Sequence, residues 1–586
     1  MKGFFNKILR INASTKSFVI EPVADAVYRE YLGGKGLATH LLLENNPPGI
    51  DPFAPENRII FAAGCVTDTR VWGSSRYGVF TKSPLTRIYS ESYSGGSISI
   101  PMSRTGYDAI IIEGACPEPV FIEVTDEGAR FHSAADLWGK GTYETEDQVR
   151  EKIGAEETGA VVIGPAGENM VRFALIENDY WRSCGRTGVG AVLGSKKIKA
   201  LVFHGKQSRE VAYPEMVNAS YDELGTRKDE DAQARSLKQF GTAMIVAFTN
   251  MVRAFPAQYW SAGTCAGWEN LTAEKMLERC RVESHACPHC FIACGKLTEV
   301  TQGRHQGLKI GGPEYETIFA FGGLCLIDSL EEIMYLNDLC DNLGIDTMTA
   351  GNLAAFTIEA SQRGKISEKI NYGDVDAIAQ LLRKMVHREG IGAVLAEGIV
   401  YAAKTWGLED LAVHVKGQEP AGYDPRILKG MALAYATSHR GACHLRSSMF
   451  GAEIQGDLTP QSVDEKVAVF VDTEERYVLM DSLILCRFYR DLAGWDQLGQ
   501  LIYAATGMSL DQTGLKKIAS TIIDDTRRFN IQEGITSKDD TIPKRFFKEG
   551  IGPDKAVIRK EDLEMMVKAY YRFRGWDENG VPPERR

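Results

Sequence analysis

Three cysteines fall within eight residues in the stretch ESHACPHCFIACGKL: Cys287, Cys290 and Cys294. The C-x2-C-x3-C spacing sets three thiolates in one short, turn-rich segment, which suits one face of an iron–sulfur cubane. A structural zinc site is the alternative, and His285 or His289 would complete it locally. Structural zinc usually comes as two CxxC-type pairs, and this chain has no second pair. Radical-SAM enzymes use the reverse order, C-x3-C-x2-C. The fourth ligand would have to come from elsewhere, and Cys486, Cys325, Cys340 and Cys443 are all remote candidates. Cys486, in MDSLILCRF, reads as a residue of a nearly all-apolar helix, where a buried structural cysteine is the ordinary expectation.

An internal echo favours Cys486. DNLGID (341–346) and DSLILC (481–486) share an aspartate, Asp341 or Asp481. Each has Ile345 or Leu485 at the same offset and then a ligand-type residue, Asp346 or Cys486. A carboxylate offers two coplanar acceptors, which match side-by-side N–H donors on a pterin edge as they match a guanidinium. Two such aspartates would hold two pterins, and Cys486 would tie one of them to the cluster. An ordinary helix end with an exposed aspartate is the plainer reading of either motif alone.

These residues need a scaffold. A chain of 586 residues is too long for one core and should divide into roughly three or four domains. To about residue 210 it reads as short β-branched runs broken by glycine turns, such as NRIIFAAG, DAIIIEG and KIKALVFHG. Beyond that the period changes. SLEEIMYLNDLCDNLGID carries Ile333, Leu336, Leu339 and Leu343 at helical spacing, with Gly344 placed as a C-cap, and DVDAIAQLLRKMVHREGIG and TEERYVLMDSLILCRFYRDL also read as helices. The expected fold class is α+β. A β-rich domain, 1–210, is followed by two mainly helical domains, 211–420 with the cysteine loop and 421–586 with the second aspartate motif. No short-period repeat is visible.

Composition narrows the function classes. The 58 glycines, about a tenth of the chain, exceed the usual ~7%, and such an excess often marks places where backbone comes close to a ligand. A formal net charge of −11 argues against nucleic-acid binding. An acidic electron carrier would therefore need a local basic patch. No signal segment or membrane span is legible, so the expected compartment is the cytoplasm. There the 12 cysteines point to metal or catalysis rather than disulfides.

Ten short motifs, in order, then resemble one family over essentially the whole length: the tungsten-containing aldehyde:ferredoxin oxidoreductases. They are GGKGL (33–37), TKSPLT (81–86), SYSGG (92–96), RSCGRTGVGAVLGSKKIKA (182–200), CPHCFIAC (287–294), GGPEYET (311–317), DNLGIDT (341–347), KGQEPAGYDPR (416–426), ATSHRGACHLR (436–446) and DSLILC (481–486). The resemblance implies two pterins chelating one tungsten, or molybdenum, through dithiolene sulfurs. It implies a [4Fe–4S] cluster on Cys287, Cys290, Cys294 and Cys486, and a β-rich base for the cofactor. Pterin phosphates need backbone N–H groups and cations, which Arg76, Lys82, Gly95, Gly96 and Arg182 would supply. A Mg²⁺ between the phosphates would take backbone carbonyls of Tyr93 and Ser183. Asp341, Gly344, Ile345 and Asp346 would line one pterin, and Asp481 and Leu485 the other. GRTGVGAVLG is no dinucleotide fingerprint, because its glycines fall as GxGxxxG with no suitable acidic residue after them.

By the same resemblance Glu316 activates water, His444 hydrogen-bonds the aldehyde oxygen, and Thr347 bonds an oxygen ligand of the metal. Glu314 is the fallback base. The implied activity is oxidation of aldehydes to carboxylates, with electrons passing to ferredoxin or a small iron–sulfur subunit, in a homodimer or larger complex. Three positions depart from the family. Ile484 stands where glycine is common, so the backbone there is expected to differ. Cys443 replaces an acidic residue, and Cys325 lies where a related benzoyl-CoA reductase subunit uses a cysteine on the metal. Two other readings compete: the catalytic subunit of an aryl-CoA reductase, and an electron-transfer subunit without catalysis.

Overall fold

The computed structural model describes residues 1–227, 230–455 and 462–585. The β-rich N-terminal part is built from two six-stranded sheets. Strands β1 (Lys7–Asn12), β2 (Ser17–Pro22), β3 (Ile59–Ala62), β4 (Arg76–Lys82), β5 (Tyr89–Gly95) and β6 (Ala109–Glu113) form the first, in the order 2-1-6-3-4-5. Strands β7 (Val120–Thr125), β8 (Gly128–Ser133), β9 (Gly159–Val162), β10 (Ile176–Asn178), β11 (Arg182–Cys184) and β12 (Ile198–Phe203) form the second, in the order 8-7-12-9-10-11. Adding six to every strand number converts one order into the other. The pairings follow suit: β1·β6 and β7·β12 are parallel and every other neighbour is antiparallel. The same topology is thus used twice, a repeat that no local sequence pattern announces.

Alternation along the strands explains the packing. Leu9 and Ile11, Ile110 and Ile112, Ile122 and Val124, and Leu201 and Phe203 share one buried cluster drawn from both sheets. The intervening residues Phe121, Val162, Ala200 and Val202 pack on the other face of the second sheet with Val149, from the helix Thr142–Ile153. Each Val, Leu, Ile or Phe side chain among them contributes about 1.5–3 kcal/mol through burial. The last strands of the two sheets, β5 and β11, lie against each other. Asn178 joins them, donating to Gly95 O (3.0 Å) and accepting from Ser94 Oγ (2.7 Å) and Tyr77 OH (3.1 Å).

By compactness the chain forms two units, each assembled from separated segments. The first comprises Met1–Arg235, Ala286–Ala293 and Glu475–Gly534; the second comprises Ser236–His285, Cys294–Glu474 and Ile535–Arg586. This division interleaves the chain where the sequence suggests three consecutive domains. The second unit is mostly helical, with one small sheet of β13 (Cys280–His285), β14 (Gly295–Val300) and β15 (Lys309–Gly311). Among the described residues no helix is long and apolar enough to cross a membrane.

Candidate functional site

The cysteine loop belongs to the first unit. Cys290 N–H donates to Cys287 O (3.1 Å), and His289 and Ala293 take positive φ values of 57° and 47°, so the loop curls tightly. Cys287, Cys290 and Cys486 are all half-buried. Backbone N–H of Gly96 points at Cys287 Sγ (3.3 Å), and Tyr489 OH lies 3.2 Å from Cys290 Sγ. Burial, and then the charge of Cys486, pushes the Cys290 thiol up. Two glycines make room. A Cβ on Gly95 would stand 3.2 Å from both Cys287 Sγ and an Arg76 nitrogen, and one on Gly73 would sit 3.1 Å from Cys486 Cβ. Half-exposed sulfurs with hydrogen-bond donors aimed at them, in a glycine-lined cradle, fit an anionic iron–sulfur cluster. Among the described residues no three His, Cys, Asp or Glu side chains converge as they would around a single metal ion. Cys294, the first residue of the following segment of the second unit, is also half-buried.

Cys486 is not on the helix expected for it. That helix ends at Ser482, Ile484 takes a left-handed φ of 55°, and Cys486 is extended (φ −67°, ψ 134°) at the start of the short 3₁₀ turn Arg487–Tyr489. The chain turns there because glycines let backbone approach it. A Cβ on Gly34 would meet Asp481 O at 2.7 Å and Ser482 O at 2.6 Å, and Cys486 N–H is tied to Gly73 O (2.9 Å). Asp481 pairs with Arg487 at 2.7 Å. Leu485 N–H returns to Met480 O (2.8 Å).

The other first-unit residues sort by their partners. Arg76, at the head of β4, donates to Tyr93 O (3.4 Å) on β5. Gly96 has φ 104°, and a Cβ there would lie 2.1 Å from Asp179 Oδ2. Arg182 and Ser183 pair with Asn178 and Glu177 in the β10–β11 ladder, whose edge strand lies against β5, the strand that ends on Gly95. Lys82 is buried and engaged elsewhere, donating to Ile50 O (2.6 Å) and pairing with Glu533.

In the second unit Glu316 and His444 come together. Glu316 Oε1 is 3.6 Å from His444 Nε2, too long for a hydrogen bond but close enough for each to feel the other's charge. Both side chains are about one-sixth exposed, at 18% and 16%. Glu316 lies on the short helix Tyr315–Thr317, which runs straight into a π-helical turn, Ile318–Gly323. Such turns are common at functional sites. The KGQEPAGYDPR loop steadies the pair. Gly422 N–H donates to Glu316 Oε2 (3.0 Å), and the Tyr423 ring lies 5.5 Å from the His444 ring. That loop is itself pinned by Tyr435 OH to Ala421 O and Tyr423 O (both 3.1 Å). Gly422 must be glycine, since a Cβ would stand 2.7 Å from the Phe319 ring. Thr347 Oγ1 bonds Thr317 Oγ1 (2.9 Å), one residue past Glu316. Glu314, the fallback base, is engaged by the Thr242 hydroxyl.

The first aspartate motif also lies in this unit. The helix Leu330–Leu343 ends on Gly344 (φ 80°), Ile345 N–H returns to Cys340 O (2.9 Å), and Asp346 caps the helix Thr347–Gln362 through Met348 N (3.0 Å) and Thr349 N (3.4 Å). Asp341 accepts from Asn337 Nδ2 (2.6 Å). Burial, and then the Asp338 charge, hold its carboxyl well above the usual range. Further N–H donors would favour the charged form, so the chemistry of Asp341 fits a ligand that brings a pair of them.

The departures resolve differently. Cys325 is fully buried and its thiol donates to Gly351 O (3.4 Å), while burial drives its pKa far up. Cys443 is drawn toward its thiolate by two arginines. Burial raises it, but Arg440 and Arg446 outweigh that and bring it down to about 7; Arg440 Nη2 is 3.0 Å and Leu445 N–H 3.3 Å from its sulfur. Sequence reasoning missed Tyr489 and Asn178, neither of which stands at a spacing that marks it, and Gly422 falls within the KGQEPAGYDPR motif without being singled out.

Comparison with known proteins decides the family. The model of the aldehyde ferredoxin oxidoreductase N-terminal domain matches residues 8–205, and that of its domains 2 and 3 matches residues 220–586. The chain belongs to the aldehyde ferredoxin oxidoreductase family. It is 34% identical over 600 residues to the tungsten-containing aldehyde ferredoxin oxidoreductase of Pyrococcus furiosus, covering 100% of this chain and 98% of that one. The protein of the same description from Thermococcus kodakarensis is 33% identical over 602 residues, with the same coverage. In fold it is similar to a chain of the BamBC active-site complex of benzoyl coenzyme A reductase, with TM-score 0.83, 23% identity, and coverage of 99% of this chain and 96% of that one. Family membership bears out the sequence resemblance and the β-rich-then-helical fold, and makes the chain an oxidoreductase of this type.

Proposed function

We propose that the chain oxidises aldehydes to carboxylates and passes the electrons to ferredoxin or a small iron–sulfur partner. The observation that carries this reading is the Glu316–His444 pair, an acid–base couple on a rigid frame. A tungsten bis-pterin would supply the two-electron acceptor. Asp341, Gly344, Ile345 and Asp346 would hold one pterin and Asp481 and Leu485 the other. Arg76, Lys82, Gly95, Gly96 and Arg182 would serve the phosphates, with Mg²⁺ on the carbonyls of Tyr93 and Ser183. Of the phosphate candidates Lys82 has the weakest support, given its Glu533 partner. A [4Fe–4S] cluster would take Cys287, Cys290, Cys294 and Cys486.

The protein's own part is proton handling. Gly422 N–H fixes Glu316 Oε2, and Oε1 faces His444, so Oε1 is the atom placed to take a proton from water. His444 donates to the aldehyde oxygen and offsets the charge that grows there. Thr347 extends the polar line through Thr317.

Metal analysis of anaerobically purified protein, followed by assays on free aldehydes and on aryl-CoA, tests the proposal. About four irons with tungsten, and aldehyde-dependent ferredoxin reduction, are expected. Turnover of aryl-CoA alone, or iron without tungsten or molybdenum and no turnover, would overturn it.

A further inference from the structure

Tyr489 is buried at 3% exposure, and its ring is locked edge-on to Phe291 (5.4 Å, 89°), which is edge-on to Trp72 (4.6 Å, 85°). Its N–H bonds Cys486 O (3.1 Å), so the tyrosine is fastened to one proposed cluster ligand. Its hydroxyl reaches another, Cys290 Sγ, at 3.2 Å. Gly73 (φ 73°) is bare where a Cβ would strike the Tyr489 ring at 2.6 Å. A phenylalanine would fill the same space, so packing alone does not account for the hydroxyl. A buried phenol seeks a partner, and here the partner is a sulfur. A cysteine sulfur bound to iron has no proton, so the phenol must be the donor.

Resting on the cluster reading above, we propose that Tyr489 is a tuning residue: its O–H···S bond to Cys290, beside the Gly96 N–H on Cys287, raises the reduction potential of the cluster. Reduction adds a negative charge shared by the cysteine sulfurs. A donor to sulfur therefore binds the reduced cluster more strongly than the oxidised one, and such bonds are among the determinants of cluster potential. Electrons leaving the proposed tungsten site would then find an acceptor that is easier to reduce.

The test is an EPR-monitored redox titration of the purified holoenzyme and two variants, with iron measured on the same samples. Tyr489→Phe should keep its iron but lower the reduced-to-oxidised ratio at fixed potential by about tenfold, equivalent to about 59 mV for a one-electron couple. A fluorotyrosine at 489 keeps the packing and strengthens the donor, so it should move the potential the opposite way. Should Tyr489→Phe lose iron, the fluorotyrosine enzyme alone decides. A potential unchanged in every iron-replete variant would overturn the tuning role. Wild-type protein without a cluster would instead overturn the reading of the cysteines.

Discussion

Asp341–Asp346 and Asp481–Cys486 share one backbone device that ends on two different kinds of side chain. In both a helix ends just beyond the aspartate, the residue three places on is left-handed, and the fifth opens a new helical turn. The closing bonds match: Ile345 N to Cys340 O at 2.9 Å and Leu485 N to Met480 O at 2.8 Å. The left-handed residue differs. Gly344 adopts φ 80° without a side chain to clash, whereas Ile484 holds φ 55° while burying its side chain to 1% exposure. The fifth residue differs more. Asp346 spends its carboxylate on a helix cap and leads into Thr347, beside the acid–base pair, while Cys486 offers a thiol. One turn therefore ends on a carboxylate used as a helix cap and the other on a half-buried thiol; under the proposed function the first serves proton handling and the second electron transfer.

Replacing the fifth residue in each turn should separate these roles. Cys486→Ala should strip most cluster iron and abolish ferredoxin-linked turnover; iron content is the check, and full iron would remove Cys486 as ligand. The matching change, Asp346→Ala, should leave iron in place and cost about 1 kcal/mol of stability through loss of the cap. Iron loss in both variants would mean that the two turns do not differ as described. Glu316→Gln comes next. It should cut kcat by about 10²–10⁴ with tungsten and iron retained, the usual scale for a general base. Turnover within a fewfold of wild type would leave the Asp341 side of the comparison without its catalytic group.

The motif echo was legible in sequence because a C-cap leaves a signature: apolar spacing up to Leu343, then Gly344. The second copy was harder to place, because Ile484 breaks that signature and the apolar run LILC reads as helix continuing through Cys486. What ends the helix there is close approach of Gly34 and Gly64, more than 400 residues earlier in the chain. Pairings at that separation leave no local trace. The duplicated sheet was hidden for a related reason. β-strand alternation marks a face but not a neighbour, so the order 2-1-6-3-4-5 and its repeat are set by long-range pairing alone. Glu316 and His444 stand out only through motif resemblance, since a carboxylate near a proline and a histidine in a polar loop are common anywhere. The hydroxyl of Tyr489 could not be anticipated, because its meaning depends on a sulfur 199 residues away.

The smallest effect concerns the left-handed position itself. Gly344→Ala places a Cβ at φ 80°, which costs about 1–2 kcal/mol, partly offset by a stiffer unfolded chain. A net loss of about 1 kcal/mol in denaturant unfolding is expected, with cluster iron unchanged. The second turn should answer differently. Ile484→Gly relieves a similar backbone cost but removes a buried side chain whose Cδ1 packs against Gly34, and that burial is the larger quantity, about 2–5 kcal/mol. Both substitutions should therefore destabilise, though they move glycine in opposite directions. If Ile484→Gly instead stabilised the protein, packing against Gly34 could not be what holds a β-branched residue in that conformation, and the two turns would be equivalent after all.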